Sequence, residues 1–143
     1  MLNMKLTFKA LALIFLLCAA PGRGLAMISI ENVSTNRAKE LGVTLRAHTN
    51  GEAGVKVWLE YKTEGELMNV TYVEVRIGDG ANQIMSAQLR VANPGPGKAS
   101  VDFSAFPKYL PVSSVMIVVY HGPRGDVGYN FQIKDFLDLD QFR

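Results

Sequence analysis

Short runs in which apolar and polar residues alternate are the feature that most constrains how this chain can fold. From Met27 onward these runs are separated by clusters of Gly, Pro, Asn and Asp. Alternation places the apolar side chains on one face of a β-strand, and turn signals spaced about 8–12 residues apart are typical of all-β domains. We therefore predict strands near residues 27–33, 41–48, 55–62, 70–78, 82–92, 99–106, 113–121 and 126–134.

About eight short strands predict an all-β fold, a two-sheet antiparallel β-sandwich of immunoglobulin-like or fibronectin-III-like architecture. A helical pattern is confined to residues 37–41, which is enough for a single turn. Residues 27–143 suit one domain in length. The only cysteine, Cys18, precedes this domain, so an apolar core rather than a disulfide must stabilise it.

The first 26 residues have the pattern of a secretory signal peptide. Lys5 and Lys9 precede an apolar run over residues 10–20, and small residues follow at 24–26. The apolar run is well short of the roughly 20 residues that a membrane-spanning helix needs. Acylation of Cys18 is disfavoured because Leu17 precedes it. We therefore expect residues 1–26 to be cleaved, and the mature protein to be secreted or periplasmic with no membrane span.

Removal of this leader changes the charge of the protein. Lys5, Lys9 and Arg23 leave with it, so 12 basic and 13 acidic residues remain and the formal net charge falls from +2 to −1. A nearly neutral chain lacks the basic surface that binds phosphate backbones. We therefore expect no nucleic-acid partner.

Two stretches of glycine and proline predict local turns. Asp79 and Gly80 stand between two alternating runs, which favours a tight hairpin and makes predicted strands four and five antiparallel neighbours. Residues 93–97 read Asn-Pro-Gly-Pro-Gly, and prolines lack the amide donor that a strand ladder needs. We predict a loop there.

If each short connection reverses the chain, the loops sort onto the two ends of the sandwich. One end then collects residues 34–40, 63–69, 93–98 and 121–126. The other end collects residues 49–54, 79–80 and 107–112. The first set is longer and more charged, which is typical of binding loops in sandwich domains. We predict that it is a binding end, with plain solvated connections as the alternative.

The loop over residues 121–126 contains Arg124, Gly125 and Asp126, the tripeptide of integrin ligands. The prediction of a hairpin tip would suit that function, because the Arg and Asp side chains must project from a short exposed loop. A turn also favours Gly beside Asp for conformational reasons alone. An adhesion ligand is therefore an alternative function.

The sequence offers little for catalysis. His48 and His121, the only histidines, are predicted at opposite ends of the sandwich, which disfavours a shared metal or catalytic site. No serine stands in a Gly-x-Ser-x-Gly elbow. The acidic residues Glu64, Glu66, Asp135, Asp138 and Asp140 lack an apolar pocket or an EF-hand spacing. We expect a non-enzymatic protein without catalytic, cofactor or metal-binding residues.

The single tryptophan, Trp58, falls on the polar side of an alternating strand with Lys56. If the next turn centres on Glu66, Glu60 lies opposite Tyr72, Trp58 opposite Glu74 and Lys56 opposite Arg76. The resulting patch of Lys56, Trp58, Tyr72 and Arg76 could stack on a sugar ring or anchor a protein partner. The alternatives are that basic side chains cover the indole, or that a bulge turns it inward.

Residues 115–120 are apolar on both faces of a predicted strand, so another segment of the chain or a partner must cover them. Together these features predict an exported binding module that acts through the loop end or the Trp58 face, with a protein or glycan as partner. The alternatives are the adhesion ligand and a structural subunit of an extracytoplasmic assembly.

Overall fold

The protein is an all-β two-sheet sandwich. A computed structural model describes residues 28–49, 51, 54–79, 82–107, 110, 114–122 and 124–142. The predicted leader, Gly80 of the predicted hairpin and Pro123 lie outside the described residues. The fold class predicted from alternation is confirmed, with nine described strands and one α-helix.

The strands and the helix follow one another along the chain, and three short 3₁₀ helices join them. The strands are β1 Ser29–Asn32, β2 Thr44–Thr49, β3 Val55–Lys62, β4 Val70–Asp79, β5 Asn82–Leu89, β6 Ala92–Gly95, β7 Lys98–Ala105, β8 Ser114–His121 and β9 Val127–Gln132. Helix α1 is Thr35–Glu40, and the 3₁₀ helices are Gly65–Leu67, Ile133–Asp135 and Leu139–Phe142.

The strands form a five-stranded sheet in the order β1-β9-β8-β4-β5 and a four-stranded sheet in the order β2-β3-β7-β6. All pairs are antiparallel except β1 with β9, which are parallel. Strict reversal at every connection would have made these two strands antiparallel, so the prediction fails for β1. The physical reason is that the connection containing α1 crosses from one sheet to the other and does not form a hairpin.

Alternation along the strands builds the core. Val55, Val57, Leu59 and Tyr61 of β3 are at most 2% exposed, while the residues between them are half-buried. They face a second buried set from the other sheet, Val73, Val75, Ile117, Val119, Tyr129 and Phe131. The C-terminal segment adds Phe136, Leu137, Leu139 and Phe142 to this cluster. Docking of that segment, expected from its sequence, is therefore confirmed.

Helix α1 is longer than the single predicted turn and begins earlier. The Ser34 hydroxyl accepts a hydrogen bond from the Arg37 amide at 3.2 Å and caps the first turn. The helix ends where Gly42 adopts a φ of 67°, with its amide bonded to the Lys39 carbonyl. Ala38 is buried beneath the helix. The cap and the glycine together set both ends.

The predicted hairpin is confirmed where it is described, since β4 and β5 pair antiparallel up to Asp79 opposite Asn82. The predicted loop over residues 93–97 is wrong in its first part. Strand β6 pairs with β7 at Ala92 opposite Ser100 and Gly95 opposite Lys98, with an irregular register between the two pairs. It lies at a sheet edge, where a proline without an amide donor is tolerated.

Candidate functional site

The outer face of the four-stranded sheet carries a cavity of about 500 Å³ beside Trp58. Polar side chains that alternate with core residues on three strands point outward here, and β6 closes one side. The lining residues, which we call the Trp58 groove, are Thr44, Arg46, Ala47, His48, Trp58, Glu60, Pro94 and Ser100. Alternation therefore makes one wall of the core and this outer cavity from the same strands.

Trp58 lies at the centre of the sheet between Arg46 of β2 and Asp102 of β7, which are its ladder partners. The His48 ring packs against the indole with centroids 4.2 Å apart and planes inclined by 35°. The Lys56 Nζ lies 5.3 Å from the centroid of the indole ring. Trp58 is half-buried and faces outward, so the expectation of an inward turn is wrong and the alternative of a basic cover holds for Lys56.

The charges around the groove are paired, with one exception. Lys56 Nζ lies 3.0 Å from Asp102 Oδ2, and Lys98 Nζ lies 3.4 Å from Glu60 Oε1. Arg46 is exposed, and among the described residues it has no salt-bridge partner. The groove therefore contains an aromatic pair beside an unpaired guanidinium.

Tyr72 and Arg76, predicted beside Trp58, lie on the other sheet. The prediction assumed that β3 and β4 pair, but β3 pairs with β2 and β7, whereas β4 pairs with β5 and β8. The predicted pairs of Glu60 with Tyr72, Trp58 with Glu74 and Lys56 with Arg76 are therefore wrong. The structure brings Lys56 and Trp58 together, and separately brings Tyr72 and Arg76 together.

Tyr72, Glu74, Arg76 and Tyr120 form a cluster on the five-stranded sheet. The rings of Tyr72 and Tyr120 stack with centroids 4.2 Å apart, and the Tyr120 hydroxyl donates to Glu74 at 2.9 Å. Arg76 donates to both Glu74 and Tyr120. Burial, and secondarily the bond to Glu74, raises the pKa of Tyr120 well above its usual range. These polar groups satisfy one another and do not present a free site.

The same cluster bears on the run over residues 115–120. Val118 and Tyr120, on the side away from the core, are 0% and 1% exposed in the single chain. Of the two predicted covers, a segment of the chain itself is therefore the one found, and Tyr72 supplies part of it. This run is the central region of β8, not a free surface.

The charged residues of the loop end mostly pair with each other. Arg37 Nη2 lies 2.9 Å from Glu66 Oε1, and its Nε lies 3.3 Å from Glu31 Oε1. Glu66 also accepts from the Tyr129 hydroxyl. The Tyr129 and Arg37 hydrogen bonds lower the pKa of Glu66. Burial first, and then the bond to Glu66, raises the pKa of Tyr129 to about 12.

These contacts join loops that the sequence grouped at one end. Arg37 links residues 34–40 to residues 63–69, the Thr63 amide donates to the Gly97 carbonyl, and the Thr71 hydroxyl donates to the Gly122 carbonyl. A second cavity of about 440 Å³ lies there, lined by residues 39–42, 62 and 64–67. Lys62 pairs with Glu64 at its edge at 3.4 Å. The charges here hold loops together, as the alternative interpretation of the loop end expected.

The integrin-like tripeptide is tied to the sheet. Arg124 is exposed, Gly125 is buried and Asp126 is half-buried. Gly125 adopts a φ of 63° and donates its amide to the Gly122 carbonyl at 3.2 Å, which forms a tight turn. The Asp126 carbonyl accepts from Ser29 of β1. Only the arginine projects as an adhesion motif would require.

The two histidines lie in different sheets, His48 on Trp58 and His121 stacked on Tyr129 with centroids 4.5 Å apart. Within the described ranges, no group of three or more His, Asp or Glu side chains could hold a metal ion. Asp138 accepts from the Asp140 amide at 3.1 Å in the C-terminal segment.

Comparison with known proteins adds no family to this geometry, because no family model and no curated protein matches the chain. Among the described residues, no helix is long and apolar enough to cross a membrane. The site must therefore be interpreted from its residues.

Sequence reasoning missed Arg46 and His48 as neighbours of Trp58. Both lie on β2, on the same outward side as Thr44, and the β2–β3 ladder places Arg46 opposite Trp58. The signal was present, since residues 44, 46 and 48 are polar and alternate with Leu45 and Ala47. Pairing strand two with strand three as a hairpin would have found them.

Proposed function

We propose that the protein is an exported, non-enzymatic binding module whose ligand occupies the Trp58 groove. The observation that carries this proposal is the half-buried tryptophan at the floor of a cavity of about 500 Å³. Sites for small ligands are concave, contain aromatic surface and enclose roughly 300–1,000 Å³. Export rests on the signal-peptide pattern of residues 1–26.

The other surface considered from the sequence has less to offer a ligand. At the loop end, Arg37, Glu66 and Lys62 are engaged by partners within the chain. A ligand that competed for these groups would have to break existing ion pairs. At the groove, Arg46 is exposed and has no such partner among the described residues, so a ligand can bind it without that cost.

The fluorescence of Trp58 tests this proposal, because it is the only tryptophan of the chain. The purified protein is screened with neutral saccharides, acidic saccharides and peptides for a change in tryptophan emission. A ligand found in this way should lose at least ~10-fold in affinity, measured by calorimetry, in a Trp58→Ala variant. The matched control is Met68→Ala, which removes a side chain of a 62% exposed residue in the loop end.

Two results would contradict the proposal. One is a ligand that binds Trp58→Ala as tightly as the unmodified protein. The other is a ligand whose binding is lost on Arg124→Ala at the loop end, where the integrin-like tripeptide lies, and is retained on Trp58→Ala. The second result would revive the adhesion-ligand alternative, which rests only on the sequence and on the exposure of Arg124.

A second candidate function, the structural subunit, is favoured by β5. This strand is at an edge of the five-stranded sheet, and its residues 85–88 are all exposed. It contains neither a charged residue nor a proline, the usual protection against pairing with another chain. In contrast, β6 at an edge of the other sheet contains Pro94.

Light scattering over a range of concentrations tests this candidate. An assembly through β5 should dissociate to single chains in Ser86→Lys, because a lysine on the strand disfavours edge pairing. Met68→Lys adds the same charge at a different exposed position and should leave the assembly intact. A single chain at every concentration, without other proteins, would contradict self-assembly through β5.

A further inference from the structure

We propose that the Trp58 groove binds an acidic saccharide, with a pyranose ring against Trp58 and His48 and its carboxylate paired with Arg46. This inference rests on the proposed function and names its ligand class. It follows from three properties of the groove: an aromatic floor, hydroxyl groups at its sides, and an unpaired cation next to the indole.

The aromatic floor suits a sugar ring. The indole and the imidazole lie with centroids 4.2 Å apart and form one continuous aromatic surface on the outside of the sheet. Trp58 is half-buried, so its position is held by neighbours while part of it faces the cavity. The C–H groups on one face of a pyranose are apolar and pack on such surfaces, whereas its hydroxyls stay at the edge.

Polar groups surround this floor. Thr44 and Ser100 lie opposite Glu60 on its two neighbouring strands, and all three line the cavity. Hydroxyl and carboxylate oxygens placed beside an apolar floor are the arrangement that fixes the orientation of a polyhydroxylated ligand. A purely hydrophobic ligand would leave these groups without water or partners.

The charge of the groove selects the ligand further. Glu60 is engaged by Lys98, and the Lys56 beside Trp58 is engaged by Asp102. Within the described part of the chain this leaves Arg46 as the uncompensated charge that lines the groove. A guanidinium presents parallel N–H donors that match a carboxylate in a two-pronged geometry. A uronic acid supplies both the ring and the carboxylate.

The test compares each uronic acid trisaccharide with its methyl ester, which has the same rings without the negative charge. Trimers of galacturonate, glucuronate and mannuronate are titrated against the purified protein while Trp58 emission is recorded. At least one acid trimer should bind, and its ester should bind ~10-fold or more weakly, because hydrogen bonds to charged groups are about twice as strong as neutral ones.

A variant series tests the role of Arg46 independently. Arg46→Gln should lower the affinity for the acid trimer ~10-fold and leave the affinity for the ester unchanged. Arg46→Lys keeps the charge but not the two-pronged geometry and should fall between them. Arg124→Gln removes an exposed arginine outside the groove and should have no effect. Because the ester comparison uses the unmodified protein, the test does not depend on the folding of any variant.

Each other outcome overturns the inference in a distinguishable way. Equal binding of acids, esters and neutral trimers would refute the role of the carboxylate and leave the proposed function intact. Binding of a sulfated saccharide or of an acidic peptide alone would refute the uronic acid. Failure of every saccharide, with Trp58 still required for another ligand, would refute the ligand class but not the site. If no ligand depends on Trp58, both the inference and the proposed function fail.

Discussion

Arg46 lies directly opposite Trp58 in the ladder between β2 and β3, and His48, two residues further along β2, packs its ring on the indole. One strand therefore supplies both the cation and the second aromatic ring of the groove. Since side chains two residues apart on a strand share a face, the register of this single hairpin determines the composition of the site.

Removal of the His48 ring should expose Trp58. In His48→Ala the indole loses the ring that lies 4.2 Å from its centroid, so more of it contacts water. We expect faster quenching of tryptophan fluorescence by acrylamide and an emission maximum shifted to longer wavelength. Met68→Ala, on the loop end, should quench like the unmodified protein. An unchanged quenching rate in His48→Ala would show that the two rings do not pack.

Acid should weaken the protein partly through Glu66. The folded-state pKa of Glu66 is lowered by its bonds to Tyr129 and Arg37, so this carboxylate stabilises the fold above its ordinary pKa of 4.5. That contribution is lost as the pH falls through the lower folded value. We expect Glu66→Gln to be less stable than the unmodified protein at pH 7, and the difference to vanish near pH 3, in urea unfolding. A difference independent of pH would contradict this account.

Alkali should act through Tyr129. Burial and the bond to Glu66 raise its pKa to about 12, above the ordinary value of 10.0, so the neutral phenol is favoured in the folded state. Its contribution to stability is complete below pH 10 and is lost as the pH rises toward about 12. Ultraviolet difference titration should show one fewer late-ionising tyrosine in Tyr129→Phe. An identical titration curve would contradict the shift.

The core of the sandwich should be sensitive to truncation at β3. Leu59 is 0% exposed, and Leu59→Ala should cost about 2–5 kcal/mol of unfolding free energy through lost burial and a cavity. The control is Met85→Ala on β5, where the residue is 52% exposed and the cost should stay within about 0.5 kcal/mol. Urea unfolding monitored by circular dichroism measures both. Equal costs would contradict the placement of β3 against the core.

Gly54, just before β3, should resist substitution for two reasons. Its φ is 119°, and an added Cβ would lie 2.6 Å from the Ala105 carbonyl oxygen. Gly54→Ala should therefore cost about 1–3 kcal/mol. Gly51 also has a positive φ, of 57°, but no atom of the described chain lies within 4 Å of the added Cβ. Gly51→Ala should cost less in the same urea experiment, and the reverse order would contradict this local geometry.

The sequence predicted well what depends on alternation within one strand. It placed Trp58 outward and Val57 and Leu59 inward, because the two faces of a strand alternate without reference to any neighbour. The hairpin of β4 and β5 was also predictable, since Asp79 and Gly80 fix a local reversal. These features need only short-range information.

It failed where the identity of the neighbouring strand decides the result. Whether the chain crosses to the opposite sheet after Lys62 depends on how the two sheets bury their apolar faces, which no local pattern records. The patch of Trp58 with Tyr72 was therefore predicted wrongly, although each residue was assigned to an outward face. Strand β6 was missed for a related reason, because Pro94 is acceptable only at an edge and edges are set by the whole sheet.

The most direct test of the central claim is the indole N–H signal of Trp58 in a nitrogen–proton correlation spectrum, which the single tryptophan makes unambiguous. The spectrum is followed while the uronic acid trimer, or any other ligand found in the fluorescence screen, is added. We predict that this signal moves together with the backbone amides of Arg46 and His48, while the amides of residues 121–126 stay in place. Movement confined to residues 121–126, with a stationary Trp58 signal, would contradict the account.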